Sequence, residues 1–403
     1  MSSQLQIASA TISRFHSFEV ASVFERLGAL RAIYSGLARP FLRFYSIAPD
    51  HIRTFPWIQT PLEAAQRLRL VPAWLEREAA WRAKQALDRH IARTLPDCHV
   101  YMAQSGIGLA SGRAARGRGI VTVCDRSSAH IVHQDRLLRA EHERFGVPYA
   151  AVDPRVVEKE GVEYAEADAI LVPSDFVRRS FLEMGVAAAK LHVVPFGVDV
   201  RAYVRSAPRD PGFRILFVGR LSLQKGLPYL LQAAGRARLS GATLVLTGPK
   251  DPETDVLLKR FPVPALEVTG PLDRPAVVAQ MSRASVLVLP SIQDGFGMVM
   301  SQAMACGCPV IASANTGGDD LFADGEEGFI VPAGDADALA DRLVRLRDDA
   351  ALRDAMSEKA LVRVRSVGGW DRYGRAALRI FTRLARAAGH DVVCPAGEDG
   401  SEG

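Results

Sequence analysis

The sequence predicts an α/β protein of two domains, each a doubly wound and mainly parallel sheet. Short β-branched runs alternate with segments whose apolar residues recur at helical spacing. The runs are continuously apolar, as strands buried on both faces are. The chain is 403 residues long, enough for two sizeable cores. A polar, proline-bearing stretch at residues 206–212, SAPRDPG, separates the halves and reads as a linker.

In the second half RILFVGR, ATLVLTG, SVLVLP, PVIAS and GFIVP follow one another from Arg214. The first half repeats the theme in CHVYMAQ, GIVTVCD, AILVPS and LHVVPFG. These runs place a first domain at residues 1–205 and a second at 206–369. From residue 388 the chain turns glycine-rich and acidic, the composition of a disordered tail. Two tandem open sheets leave a cleft beyond their strand carboxyl ends, where such sheets bind ligands. Function is therefore expected in the strand-to-helix loops.

Composition narrows the classes. A chain 48% hydrophobic and 24% charged is ordinarily globular. The net charge of +5 comes from arginines spread along the chain, not from a basic arm, which argues against a nucleic-acid partner. Cys98, Cys124, Cys306, Cys308 and Cys394 form neither a zinc pattern nor a disulfide framework. The start, MSSQLQIASATISRF, lacks a charged-then-apolar leader, and no apolar run approaches the roughly 18 residues of a bilayer span. A cytoplasmic protein is expected.

Three loops of the second half are equipped for an anionic ligand. In FVGRLSLQKG a strand ends at Val218 and Gly219, and Arg220 and Lys225 precede a helix starting near Leu227. Two cations beside a helix start suit a diphosphate. In SIQDGFGMVMSQAMACGCPVIAS, Gly295 and Gly297 flank Phe296 ahead of a helix over residues 298–306. Glycine lets backbone N–H groups approach a phosphate, and the helix start at Met298 and Val299 adds about half a positive charge. Asp294 at the lip suits hydroxyls, and Gln302, two turns in, suits a vicinal diol such as ribose. The third tight loop holds Thr316, Gly317 and Gly318 before Asp319 and Asp320. Each loop has a plain alternative in solvated cations, a turn carboxylate or an acid favoured by a helix start. Their succession along one sheet makes the combination informative.

With ILVPSDFVRRSFLEMGVAAAKLHVVPFGVD before them, these loops resemble the nucleotide-sugar-binding half of the retaining glycosyltransferases of family 4, the glycosyl transferases group 1, over residues 170–335. The resemblance implies the GT-B architecture, two Rossmann-like domains facing across a cleft, with a C-terminal helix, here residues 370–387, returning to the first domain. It implies that Arg220 and Lys225 hold the donor diphosphate, that Asp294 reaches a donor-sugar hydroxyl and that Gln302 meets the ribose. The family usually carries Glu at the last two positions. Gly219, Gly295, Phe296, Gly297, Met298, Val299, Gly317 and Gly318 complete the implied donor-binding set.

The first half departs further. Where the family often has a glycine pair after its first strand, this chain has Arg14 and His16, and where many members have His then Asp after the strand matching GIVTVC, it has Cys124 and Asp125. DRSSAHIVHQDRLLRAEHERFG is similar to a bacterial subgroup of cell-surface glycan assembly. That likeness puts His130 near the reacting sugar and Arg14, His16, Asp125 and Arg126 on the acceptor side.

The expected activity is transfer of a hexose from a UDP- or GDP-sugar to a saccharide or lipid-linked acceptor in bacterial cell-surface glycan synthesis, with configuration retained as the resemblance implies. Charge growing on the departing diphosphate needs preorganised donors, and Arg220, Lys225 and the helix start supply them. No metal and no cofactor are expected, the nucleotide sugar being a substrate. No residue stands out as a covalent nucleophile, which favours front-face transfer. Two other readings stand. One is a nucleotide-sugar-binding partner without catalysis, motivated by Asp294 and Gln302. The other is an NAD-dependent oxidoreductase, motivated by SGIGLASG, one residue off the dinucleotide fingerprint, with Asp125 as the ribose acid. Asp335 and Asp337 form a D-x-D triplet read as a helix cap, and Cys306 and Cys308 read as small buried apolar groups. The basic helical region bearing Trp74 and Trp81 is read as packing on its domain, with peripheral association at the inner face of a membrane as the alternative.

Overall fold

Strands that are apolar on both faces need helices above and below them, so continuous apolar runs become the central strands of covered parallel sheets. The computed structural model describes residues 3–14, 16–68, 72–236, 239 and 241–397. Its strands are β1 (Ser3–Gln4), β2 (Ile7–Thr11), β3 (Leu30–Ser35), β4 (Ile52–Thr54), β5 (Val100–Gln104), β6 (Val121–Asp125), β7 (Ala169–Val172) and β8 (Leu191–Val193). In the second half follow β9 (Phe213–Val218), β10 (Ala242–Thr247), β11 (Leu266–Gly270), β12 (Val286–Leu289), β13 (Val310–Ser313), β14 (Gly328–Val331) and β15 (Val392–Val393).

Among the described residues two main sheets form, in the orders β4-β3-β2-β5-β6-β7-β8 and β11-β10-β9-β12-β13-β14. Every neighbouring pair in them is parallel. Strand order reverses beside β2 in the first sheet and beside β9 in the second, and such a switch point opens a crevice past the strand ends. This is the GT-B fold, two Rossmann-like lobes with their crevices facing.

The chain crosses between lobes earlier than the 206–212 stretch suggests. Val198, Val200 and Tyr203 already pack with Leu216, Leu287 and Met304 of the second core. Arg205 donates to the Gly307 carbonyl at 3.1 Å and to the Ser357 hydroxyl at 2.8 Å. An irregular segment has no periodicity, so its allegiance leaves no mark in the sequence.

The helix Trp370–Ala387 returns to the first lobe and lies along the helix His16–Arg26. Gly374 permits this, because a Cβ there would stand 2.5 Å from Val23 Cγ1. The Phe24 and Phe381 rings meet at 6.1 Å, and Arg26 pairs with Asp371. The disordered tail expected from residue 388 is corrected up to residue 397. There β15 pairs in parallel with β1, and Val392 and Cys394 are buried. Two valines and a cysteine inside a glycine-rich segment are enough to add a short strand. Residues 398–403 lie outside the described residues.

Candidate active site

The loop after β9 is drawn against the exit of β12. Gly226 has φ 72°, and a Cβ there would fall 1.9 Å from the Pro290 carbonyl oxygen, so glycine is required for the approach. The approach carries Lys225 onto Asp294, with which it forms an ion pair. Asp294 also accepts the Gly297 N–H at 3.2 Å through its other carboxylate oxygen. The carboxylate therefore both shapes the bend over residues 294–297 and balances the lysine. Phe296 is buried beneath that bend. A Cβ on Gly317 would lie 2.4 Å from the Phe296 ring, and one on Gly318 would lie 2.6 Å from Ile330. These two glycines support the bend from below.

The bend meets the other lobe directly. A Cβ on Gly295 would fall 1.8 Å from the Ser127 carbonyl oxygen, and the Gly295 carbonyl accepts from the Ser174 hydroxyl at 2.6 Å. Gln293 donates to Ser128 Oγ at 2.5 Å. Asp320 accepts the Asp175 N–H at 2.9 Å, and burial pushes the Asp320 carboxyl up to about 6. Between the lobes lies a pocket of about 340 Å³, bounded by His16, Ser127 and Phe196 on one side and by Gly219, Lys225, Asp294 and the 296–299 segment on the other. His16 Nε2 stands 2.8 Å from Asp125 Oδ2, both side chains being buried. Its ring lies 4.3 Å from that of Phe196 and 6.2 Å from that of Trp370. A carboxylate on one ring nitrogen fixes how the imidazole faces the pocket.

Two family profiles match the chain, that of Glycosyltransferase Family 4 over residues 25–202 and that of Glycosyl transferases group 1 over residues 212–349. The chain belongs to the GT4-like glycosyltransferases. It is 30% identical over 239 residues to the D-inositol 3-phosphate glycosyltransferase of Kribbella flavida, covering 53% of this chain and 56% of that protein. It is 32% identical over 222 residues to the phosphatidyl-myo-inositol mannosyltransferase of Mycobacterium leprae, covering 53% of this chain and 58% of that one. The chain spans about half the length of the curated relatives it matches. In fold it is similar to Anabaena HepE in complex with UDP and glucose, with TM-score 0.68 at 15% identity over 94% of this chain and 100% of that one. Sucrose-phosphate synthase from Thermosynechococcus elongatus gives TM-score 0.69 at 20% identity over 95% and 100%.

The residues expected from sequence divide into three groups. Lys225, Asp294, Gly219, Phe296, Gly297, Met298, Val299 and His16 bound the pocket, with Asp125 behind His16 and Gly295 at the lobe contact. Arg220 stands apart from Lys225. Its side chain is 62% exposed and pairs with Asp251 at 2.7 Å. Gln302 is half-buried in the helix Val299–Ala305 and does not bound the pocket, and Arg14 opens onto a neighbouring cavity.

The third group is corrected. His130 is the N-cap of the helix Ile131–Phe145, its Nδ1 accepting the Val132 N–H at 3.3 Å. Its ring sits 5.0 Å from both Tyr164 and Phe181. Burial, with the Arg126 charge beside it, pushes it down to about 4, so it is a neutral structural histidine. Its place just before a helical pattern was the readable signal. Arg126 is buried inside the first lobe, donating to Glu160 at 2.7 Å, to the Ala129 carbonyl at 2.9 Å and to Gln134 at 3.1 Å. It braces the loop that brings Ser127 to Gly295 and has no face toward an acceptor.

The oxidoreductase reading is corrected as well. The N–H groups of Gly106 and Gly108 donate to Glu163 at 2.5 and 2.9 Å, and the Ser111 N–H donates to Asp88 at 2.9 Å. The chain's own carboxylates thus fill the helix start where dinucleotide phosphates would sit. Burial pushes Glu163 up to about 7. Asp335 caps the helix Ala336–Asp348 through the Asp337 and Ala338 N–H groups at 3.0 and 2.9 Å. Burial pushes the Cys306 thiol up to about 11 and Cys308 to about 12, which leaves both inert.

Proposed function

We propose that the chain transfers a hexose from a nucleoside diphosphate sugar to a saccharide or lipid-linked acceptor in bacterial surface glycan synthesis, with retention at the anomeric carbon. The observation that carries this reading is the pocket walled by Lys225, Asp294 and the 296–299 segment and closed by His16 from the opposite lobe. An ammonium has three donors, so Lys225 keeps donors for a phosphate oxygen while Asp294 holds it in place. The helix Val299–Ala305 begins at the same wall, where its dipole adds positive potential. Charge growing on the leaving diphosphate is met by groups already in position, which lowers the barrier most. In this reading Arg220 reaches the diphosphate by exchanging its pairing from Asp251, and His16, oriented by Asp125, meets a hydroxyl at the reacting end. The leaving phosphate takes the acceptor proton in a front-face displacement. The nucleotide sugar is a substrate, and the reading assigns no step to a metal or cofactor. The fold likeness to HepE in complex with UDP and glucose supports a uridine donor.

Among the described residues no helix is long and apolar enough to cross a membrane. Phe44, Trp57, Leu68 and Trp74 are each more than two thirds exposed, and the proposal includes peripheral contact of these residues with a bilayer, suited to a lipid-linked acceptor. The test is to incubate the full chain with UDP-glucose, UDP-galactose, UDP-N-acetylglucosamine or GDP-mannose and follow the sugar by proton NMR, with water as the default acceptor. Release of nucleotide with the α-anomer appearing first is expected. Tight nucleotide binding with no release from any donor would support the non-catalytic partner instead.

A further inference from the structure

A second cavity, of about 810 Å³, lies farther along the helix His16–Arg26. His16 opens that helix at the donor pocket, while Glu19, Ser22 and Val23 on its following turns line the second cavity. Three arginines enter this cavity from three directions: Arg14 after β2, Arg201 from the crossover and Arg274 from the start of the helix Arg274–Arg283 in the second lobe. None of the three makes an ion pair or a side-chain hydrogen bond among the described residues. The fourth arginine at the wall, Arg26, is paired with Asp371. Glu19 and Asp199 are the carboxylates left facing the three. Partial burial and the Asp199 charge raise the Glu19 carboxyl, and Arg274 opposes that rise.

Unpaired guanidinium forks are matched to oxyanions in shape as well as charge, and carboxylates accept from sugar hydroxyls. We infer that this cavity is the acceptor site and that the acceptor is an acidic saccharide, its phosphate or carboxylate gripped by Arg14, Arg201 and Arg274 while Glu19 and Asp199 hold its hydroxyls. The inference rests on the donor reading of the Lys225 pocket, because the cavity opens one helical turn from His16. Both lobes supply arginines, so the acid bridges them and favours the arrangement in which Gly295 meets Ser127.

The experiment is calorimetric titration of the full chain, with UDP present, by glucose 6-phosphate, glucuronate and glucose. At least one acid binds about tenfold or more tightly than glucose, and the order of the two acids separates phosphate from carboxylate recognition. Arg14→Ala, Arg201→Ala and Arg274→Ala each weaken the acid by about five- to tenfold and leave UDP unchanged. Raising the salt shrinks the preference, because exposed charge pairing is screened, and this arm needs no variant to fold. Equal affinity for all three sugars with UDP binding intact overturns the acidic acceptor alone. Failure of the unmodified chain to bind UDP overturns the donor reading beneath it.

Discussion

His16 and His130 lie on the same lobe, and their surroundings give them opposite work. His16 stands between Asp125 and the cleft, whereas His130 has an amide, two aromatic rings and no opening. His130→Ala should therefore cost stability, about 1 kcal/mol as for other lost helix caps, and leave turnover per folded molecule near normal, with His130→Asn restoring the melting temperature. His16→Ala should lower turnover about tenfold or more with a smaller thermal shift. Thermal unfolding and steady-state rates on the two variants check this; a folded His130→Asn that has lost turnover would return the reacting role to that residue. The sequence shows that both are titratable and both follow a strand. Which one faces the cleft depends on how each strand ends, and only the cap position of His130 was legible beforehand. Arg126 was equally opaque, since it sits in the loop after β6 and its partner Glu160 lies in the helix Pro154–Glu166, with nothing nearby in sequence to announce it.

At the scale of elements, the bend over residues 294–297 works because three glycines allow three close approaches, Gly295 to Ser127, Gly297 to Leu289 and Gly317 to Phe296. Gly295→Ala places a methyl 1.8 Å from a backbone oxygen of the other lobe, a conflict no side-chain rotation relieves. The lobes must part, so the variant should lose about tenfold or more in kcat/KM for the donor while each lobe keeps its own core and the melting temperature moves little. Steady-state kinetics and a melting curve decide it, and unchanged kinetics would remove the closed contact from the account. The strands that frame this bend were legible because β12 is apolar throughout and β9 and β13 are apolar but for Arg214 and Ser313. Edge strand β11 was not, its Glu267, Val268 and Thr269 being exposed, and β2, IASAT, is too rich in small residues to stand out although it is wholly buried.

At the scale of the molecule, two open sheets with facing switch points create the cleft, and the returning helix Trp370–Ala387 ties the lobes at one end of it. This two-lobed plan was legible from the repeat of strand and helix patterns together with the family resemblance. Contacts between distant loops were not, because Gly295 with Ser127 across the cleft and Lys225 with Asp294 within the second lobe join residues far apart in a single chain with no periodicity between them. The same limit hid Arg201 and Arg274, which look like scattered surface charge until the fold gathers them beside Arg14, the one of the three expected on the acceptor side.

The central claim is that Lys225, held by Asp294, grips the diphosphate of an activated sugar. It is tested most directly by titrating UDP and uridine separately into the unmodified chain and into Lys225→Ala. The account predicts that the variant loses about tenfold to a hundredfold in affinity for UDP, the scale of a charge-assisted contact of about 1.5–3 kcal/mol, and nothing for uridine. UDP binding that is equally tight in both proteins would contradict it.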